Sequence, residues 1–471
     1  MKNIIKSIFS TLVVVGMIVL GLIYFSDITE RKDSNEKYDD FYNSGNIDVL
    51  FLGSSHVLNG ILPMELWNEY GIVSYNMAGT GNRLPLNYWI LKNALEYTEP
   101  KVVVIDAYML SKNDKIATLE QMHMSADHIP HSKIKEDMIN DLVDDEDRRN
   151  DFLWKFSTYH NRWSELEERD FKNEVTPEKG AMSLIDVAVP LGMRYFEPDY
   201  RMQEEDGLGV EYMCKMIEEC QEREIDILVT YLPFPDNSGW QGESNRMAEL
   251  ALEYGVDFLD YYTLLAQVNL NTDFSDESSH MNPSGAKKIT SYIGNYIMQN
   301  YAVEDQRENE AYVKWHEDYE TYVEFKKENI QKEEELKNLL MLLNDQDFSY
   351  GIYLKPWNQV GYHSVLVELL AGMGINYTEI PNEDLFIVVD TMTGERKELH
   401  LFETLETRFG DFSMFYNDAE HLELTNSEAE SMIITYSDIA IVVFDNSDLS
   451  FVDQAKFTLK DAHLEFIENM E

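Results

Sequence analysis

Short, continuously apolar runs alternate with longer amphipathic stretches from about residue 48 onward. Asp48–Leu52, Ile72–Tyr75, Lys101–Ile105, Ile225–Tyr231 and Val256–Leu259 each read as a buried strand. Helical spacing of apolar residues fills intervals such as Pro85–Tyr97, Val210–Arg223 and Asn245–Tyr254. Strands apolar on both faces and separated by helices predict a parallel sheet with helices on both faces, an α/β fold. Residues 115–205 break this rhythm. They are helical, charged and aromatic, and read as an insertion that either caps a site or forms a peripheral helical pair. Residues 303–345 are densely charged with apolar positions at helical spacing, which predicts a long connecting helix with a solvated face. A small α/β unit is expected over 346–471. Its strands fall at Tyr350–Leu354, Leu385–Asp390, Ile439–Phe444 and Phe451–Phe457, with a turn at Asp445–Asp448 between the last two.

The N-terminus has a different pattern. Ile8–Phe25 is uncharged and apolar on every face, and about long enough to cross a hydrocarbon core as a helix. No small-residue cleavage site or lipobox cysteine follows it, so residues 1–26 read as a transmembrane signal anchor and 27–44 as a polar stem. Lys2 and Lys6 on one side are balanced by Arg31 and Lys32 on the other, so the charge rule leaves orientation open.

Composition narrows the function. The chain has 87 acidic and 38 basic side chains and a net charge of −49. That excludes non-specific nucleic-acid binding, which needs a basic surface to displace counterions, and docking on anionic lipid through a basic patch. The two cysteines, Cys214 and Cys220, exclude a disulfide scaffold and a cysteine-rich zinc site.

Three loops carry candidate chemistry. Gly53-Ser54-Ser55-His56 follows the first strand, where ligand sites gather in an open parallel sheet. Asn76-Met77-Ala78-Gly79-Thr80-Gly81-Asn82 follows the second, and backbone N–H groups at such a junction can hold an oxyanion. Asp276-Glu277-Ser278-Ser279-His280-Met281-Asn282-Pro283-Ser284-Gly285 comes late. There a nearby acid can fix the histidine tautomer and leave its other nitrogen as a base. Each loop alone is an ordinary turn. Neither a dinucleotide fingerprint nor a phosphate loop is present.

Together, their order resembles the blocks of the SGNH (GDSL) hydrolase superfamily over residues 45–302. The Gly-Ser-Ser form is similar to the membrane-anchored envelope branch that D-alanylates lipoteichoic acid or O-acetylates exopolysaccharides. The resemblance implies a flavodoxin-like parallel sheet and an extracytoplasmic serine esterase or O-acyltransferase without metal or organic cofactor. It implies Ser55 as nucleophile, His280 as general base and acid, and the N–H groups of Ser55 and Gly81 as oxyanion donors. By family spacing the orienting acid is Glu277, three residues before His280; Asp276, which must reach one residue further, is the alternative. The implied substrate is an acylated cell-envelope polysaccharide, with a membrane-bound O-acyltransferase as partner. One departure stands out. The family's third block supplies an asparagine, whereas here Asp106 leads on to Asn113, too far along to inherit that role. This departure favours the alternative, a catalytically silent envelope protein that binds glycan or scaffolds an assembly.

Two weaker clusters remain. His123, His128 and His131 with Asp127 could hold a metal, although their spacing suits no standard zinc motif. The aromatic residues of Tyr159–Trp163 could line a glycan groove, or simply pack between helices.

Overall fold

The computed structural model describes residues 2–466 apart from 31–34, 154, 172–176, 190–199, 203, 236–238, 278, 357–359, 361–362, 378–382, 419–420, 430 and 461–462. Ser278 of the late loop and part of the 115–205 insertion thus lie outside the described residues.

Five short strands, β1 (Val49–Leu52), β2 (Ser74–Asn76), β3 (Val102–Asp106), β4 (Asp226–Thr230) and β5 (Asp257–Leu259), form one sheet in the order β2-β1-β3-β4-β5. All neighbours are parallel, with Phe51 opposite Asn76, Leu52 opposite Ile105 and Asp106 opposite Thr230. β1 and β3 are buried along their whole length, which accounts for their continuous apolar runs. Because the strands are parallel, the loops that follow them leave from one edge of the sheet. Three segments distant in sequence therefore become neighbours there.

Helix α1 (Lys2–Thr29) is long and apolar enough to cross a membrane. Its side chains over Ile8–Tyr24 are largely exposed. Helix α2 (Asn35–Asn43) packs Tyr38 and Phe41 into the main core. Helices α3 (Ser55–Gly60) and α4 (Pro63–Tyr70) pack with the later helix Pro283–Asn300. Helix α5 (Leu84–Ala94) packs with Leu208–Glu222 and Lys133–Leu142.

The expected long connecting helix is two helices, Val313–Lys332 and Leu336–Leu342, separated where Glu333 turns to an extended conformation. The first bridges two cores: Trp315 and Tyr322 join the core of the parallel sheet, while Val323 and Ile330 join that of the C-terminal region. That region corrects the expectation of a small α/β unit. It is a six-stranded antiparallel sheet beside a four-stranded one, with one helix, Ser364–Gly372, among the described residues. Strands such as Glu395–His400 and Thr404–Thr407 are mostly solvent-facing and polar, so no apolar run marks them.

A buried five-charge cluster joins the two parts. Lys326 Nζ lies 3.1 Å from Glu65 Oε1 and 3.0 Å from Asp345 Oδ2, and it also pairs with Asp347. Lys287 Nζ lies 3.0 Å from Glu65 Oε2 and 3.1 Å from Asp345 Oδ1. The three carboxylates approach one another as closely as metal ligands do. The two ammonium groups supply countercharge for two of the three carboxylates.

Candidate active site

β1 ends at Gly53. A side chain here would collide with Val57 and crowd Asp106, so the close turn requires glycine. Ser54 then caps α3 by accepting from His56 N at 3.3 Å, and Ser55 opens the helix. This places the Ser55 side chain at the carboxyl edge of the sheet.

The late loop is built to hold His280. Phe274 and Met281 form an isolated antiparallel bridge, and the His280 carbonyl accepts from Ser275 N at 2.8 Å. Asn282 caps the helix Pro283–Asn300 by accepting from Gly285 N at 3.1 Å, while its amide donates to Thr272 O at 2.8 Å. A Cβ at Gly285 would strike the Asp273 carbonyl. Asn-Pro-x-Gly is thus a packed helix start that anchors the histidine loop.

Across these elements, Ser55 Oγ lies 2.9 Å from His280 Nε2. His280 Nδ1 lies 2.5 Å from Asp276 Oδ2, and Asp276 Oδ1 accepts from Ser279 N at 2.6 Å. The structure therefore puts Asp276 on the ring, whereas Glu277 is exposed. A carboxylate, an imidazole and a hydroxyl in this order can pass a proton from serine to histidine while the acid fixes the tautomer.

The second loop runs alongside the first. Met77 N donates to Phe51 O at 2.8 Å, and Gly79 N to Gly53 O at 3.3 Å. The Asn76 amide ties the loop to α3, donating to Val57 O at 2.8 Å and Ile61 O at 3.0 Å. Gly81 has φ +68°, and a Cβ there would press on Gln121. Lys37 of α2 donates to Ala78 O, and burial pushes its amine down to about 7.

The segment after β3 carries the departure noted in the sequence. Asp106 is buried, accepts from Leu232 N at 2.8 Å, and is pushed up to about 7 by burial. Asn113 lies elsewhere, accepting from Leu208 N at 3.0 Å where that helix begins.

Sequence reasoning missed the aromatic wall. The His56 ring stacks on Tyr108 at 3.9 Å, approaches Phe234 at 4.8 Å, and meets His280 edge-on at 5.8 Å. Burial first, then neighbouring His280, pushes His56 down to about 3, so its ring is neutral. The available signal was its place directly after Ser55.

The insertion also reaches this region. Met182 N donates to Leu58 O at 3.0 Å and Ala188 N to Phe274 O at 2.9 Å, so the segment spans α3 and the histidine loop. Its other candidates divide: His123 pairs with Asp127 at 2.9 Å and the Tyr159 hydroxyl donates to the same carboxylate, while His128 faces Glu30 at 3.3 Å. Tyr159–Trp163 packs against the end of α1. Cys214 and Cys220 are both free thiols.

No protein-family model and no curated protein matches the chain. Among solved structures, a Bacteroides fragilis protein whose acylhydrolase name is provisional aligns at 13% identity and TM-score 0.28. The alignment covers 55% of this chain and 93% of that one.

Proposed function

We propose that the protein is a membrane-anchored, extracytoplasmic SGNH-type serine esterase or O-acyltransferase with a flavodoxin-like catalytic domain. The observation that carries this reading is the aligned Ser55–His280–Asp276 relay, at 2.9 and 2.5 Å, at the carboxyl edge of a parallel sheet. In the proposed reaction His280 Nε2 takes the Ser55 proton as Oγ attacks an ester carbonyl. Asp276 accepts the Nδ1–H bond and stabilises the imidazolium. The N–H groups of Ser55 and Gly81 receive the oxyanion. Collapse expels the alcohol, which takes the proton from Nε2 and leaves an acyl-Ser55. Water or a sugar hydroxyl then attacks that ester, with His280 again as base, giving hydrolysis or transfer.

The block resemblance supplies the substrate class, an acylated cell-envelope polysaccharide, and the membrane-bound O-acyltransferase partner. Helix α1 supports anchoring through residues 8–25. The second reading, a silent glycan-binding scaffold, draws on the third loop, where Asn113 caps a helix instead of facing the site.

The test is acetyl release from 4-nitrophenyl acetate by the purified full chain, with and without a glycan acceptor. Turnover lost in both Ser55→Ala and His280→Ala supports the enzyme. Acetylated acceptor identifies transfer. Glycan binding with no Ser55-dependent turnover on either route supports the scaffold.

A further inference from the structure

Helix α1 does not join the domain as a free tether. Its end is clamped by the 115–205 insertion. The Phe25 and Phe156 rings lie 6.0 Å apart, and Arg162 Nη1 donates to Thr29 O at 2.8 Å. Arg162 also pairs with Asp170 at 3.0 Å, and buried Glu30 faces His128 at 3.3 Å. Ile5–Thr29 spans about 37 Å at ~1.5 Å per residue, longer than a ~30 Å hydrocarbon core. The clamped turns from Phe25 to Thr29 therefore fall at the lipid–water boundary of any bilayer that α1 crosses.

Around that clamp the insertion leaves large side chains uncovered. Trp163 is 64% exposed, Phe171 61% and Leu153 36%. They come from the turns His160–Ser164 and Glu168–Phe171, which pack against α1, and from the helix Glu146–Leu153, which packs against the helix Lys155–Tyr159 that does. A cleft opens between α1 and the insertion; Val19, Leu22, Ile23, Leu153 and Phe156 make it mostly apolar, and Ser26, Asp27 and Glu30 line its polar end.

We propose that residues 146–153 and 155–171 form a membrane foot whose occupant is zwitterionic lipid. Trp163, Phe171 and Leu153 enter the headgroup layer of the leaflet from which α1 emerges, and acyl chains fill the cleft beside α1. Trp has an apolar body and one polar N–H, which suits that layer. The stretch carries seven acidic and five basic side chains, so apolar insertion and not charge attraction holds it. Farther along the insertion, Met182 and Ala188 bond to α3 and to the histidine loop. The proposal rests on the reading that α1 spans a membrane.

The experiment uses the full chain in phosphatidylcholine vesicles, plain or brominated near the headgroup end of the acyl chain. The Trp163 signal is the emission of wild type minus that of Trp163→Phe, an exposed substitution that leaves the core untouched. Vesicle flotation after an alkaline wash reports α1 separately. The foot predicts flotation of both proteins and at least a twofold loss of the difference emission in brominated vesicles. Flotation with equal difference emission in both vesicle types overturns the foot and leaves α1 standing; that surface then faces water or a protein. Failure to float overturns the spanning reading and the foot with it.

Discussion

Asp276 approaches His280 from four residues upstream, Oδ2 to Nδ1 at 2.5 Å, rather than from the three that family spacing suggests. The shift is possible because Ser279 N turns back to Asp276 Oδ1 at 2.6 Å, folding the loop so that the more distant acid reaches the ring. Asp276→Asn should therefore lower kcat by about 10²–10⁴-fold, the range set by its 39% exposed side chain and by loss of the tautomer-fixing acceptor. Glu277→Gln should stay near wild type. Steady-state kinetics on an aryl ester decides between them. A large loss at Glu277 alone would restore the family spacing.

Gly285 tests whether the helix start positions His280. Its Cα faces the Asp273 carbonyl, so Gly285→Ala must displace the loop or the helix. The expected cost is about 1–3 kcal/mol of stability together with a lower kcat. Urea unfolding and kinetics on the same sample check both; an alanine variant with wild-type values would show that the loop relaxes freely.

The buried charge cluster makes stability acid-sensitive. Burial pushes the Asp345 carboxyl up, but Lys287 and Lys326 outweigh it and hold the group well below the usual carboxylate range; Glu65 is also lowered, whereas burial raises Asp347, so the acid sensitivity comes from Asp345 and Glu65. A depressed folded value means that the stabilisation is complete above the unfolded carboxylate value, about pH 4, and is lost as pH falls toward the folded one. Urea midpoints should drop below pH 4. Lys326→Met should cost about 3–5 kcal/mol at pH 7, because it leaves buried carboxylates under-compensated. Its stability should then fall, not rise, as the carboxylates ionise with increasing pH.

How much of this was readable depends on what each segment buries. β1 and β3 announce themselves because both faces are covered, so every position but the terminal Asp106 is apolar. Ser55, His280 and Gly81 stand out because turn residues follow or precede such strands and helices. The choice between Asp276 and Glu277 was not readable, since both lie within reach and only the backbone fold of the loop separates them. The strands between Glu395 and Ile433 were missed because solvent takes much of their surface and leaves no apolar run. The Tyr159–Trp163 stretch gave no sign of its location, because Arg162 within it bonds to Thr29 of α1 more than a hundred residues away and the Tyr159 hydroxyl to Asp127.

The C-terminal region carries no catalytic motif, yet it is not a detachable appendage. A chain ending at Asp345 loses Asp347 and uncovers Val323, Ile330, Leu336, Leu339 and Leu340. Such a truncation should melt well below the full chain or aggregate. Differential scanning calorimetry of the two proteins checks this, and equal melting temperatures would show that the first core stands alone.

The central claim is that Ser55 is a nucleophile activated by His280. The most direct test is intact and peptide mass spectrometry of the full chain after exposure to a fluorophosphonate. A single adduct on Ser55 is expected, absent from Ser55→Ala and strongly slowed in His280→Ala. No adduct on the folded wild-type chain, or an adduct that persists unchanged in Ser55→Ala, would contradict it.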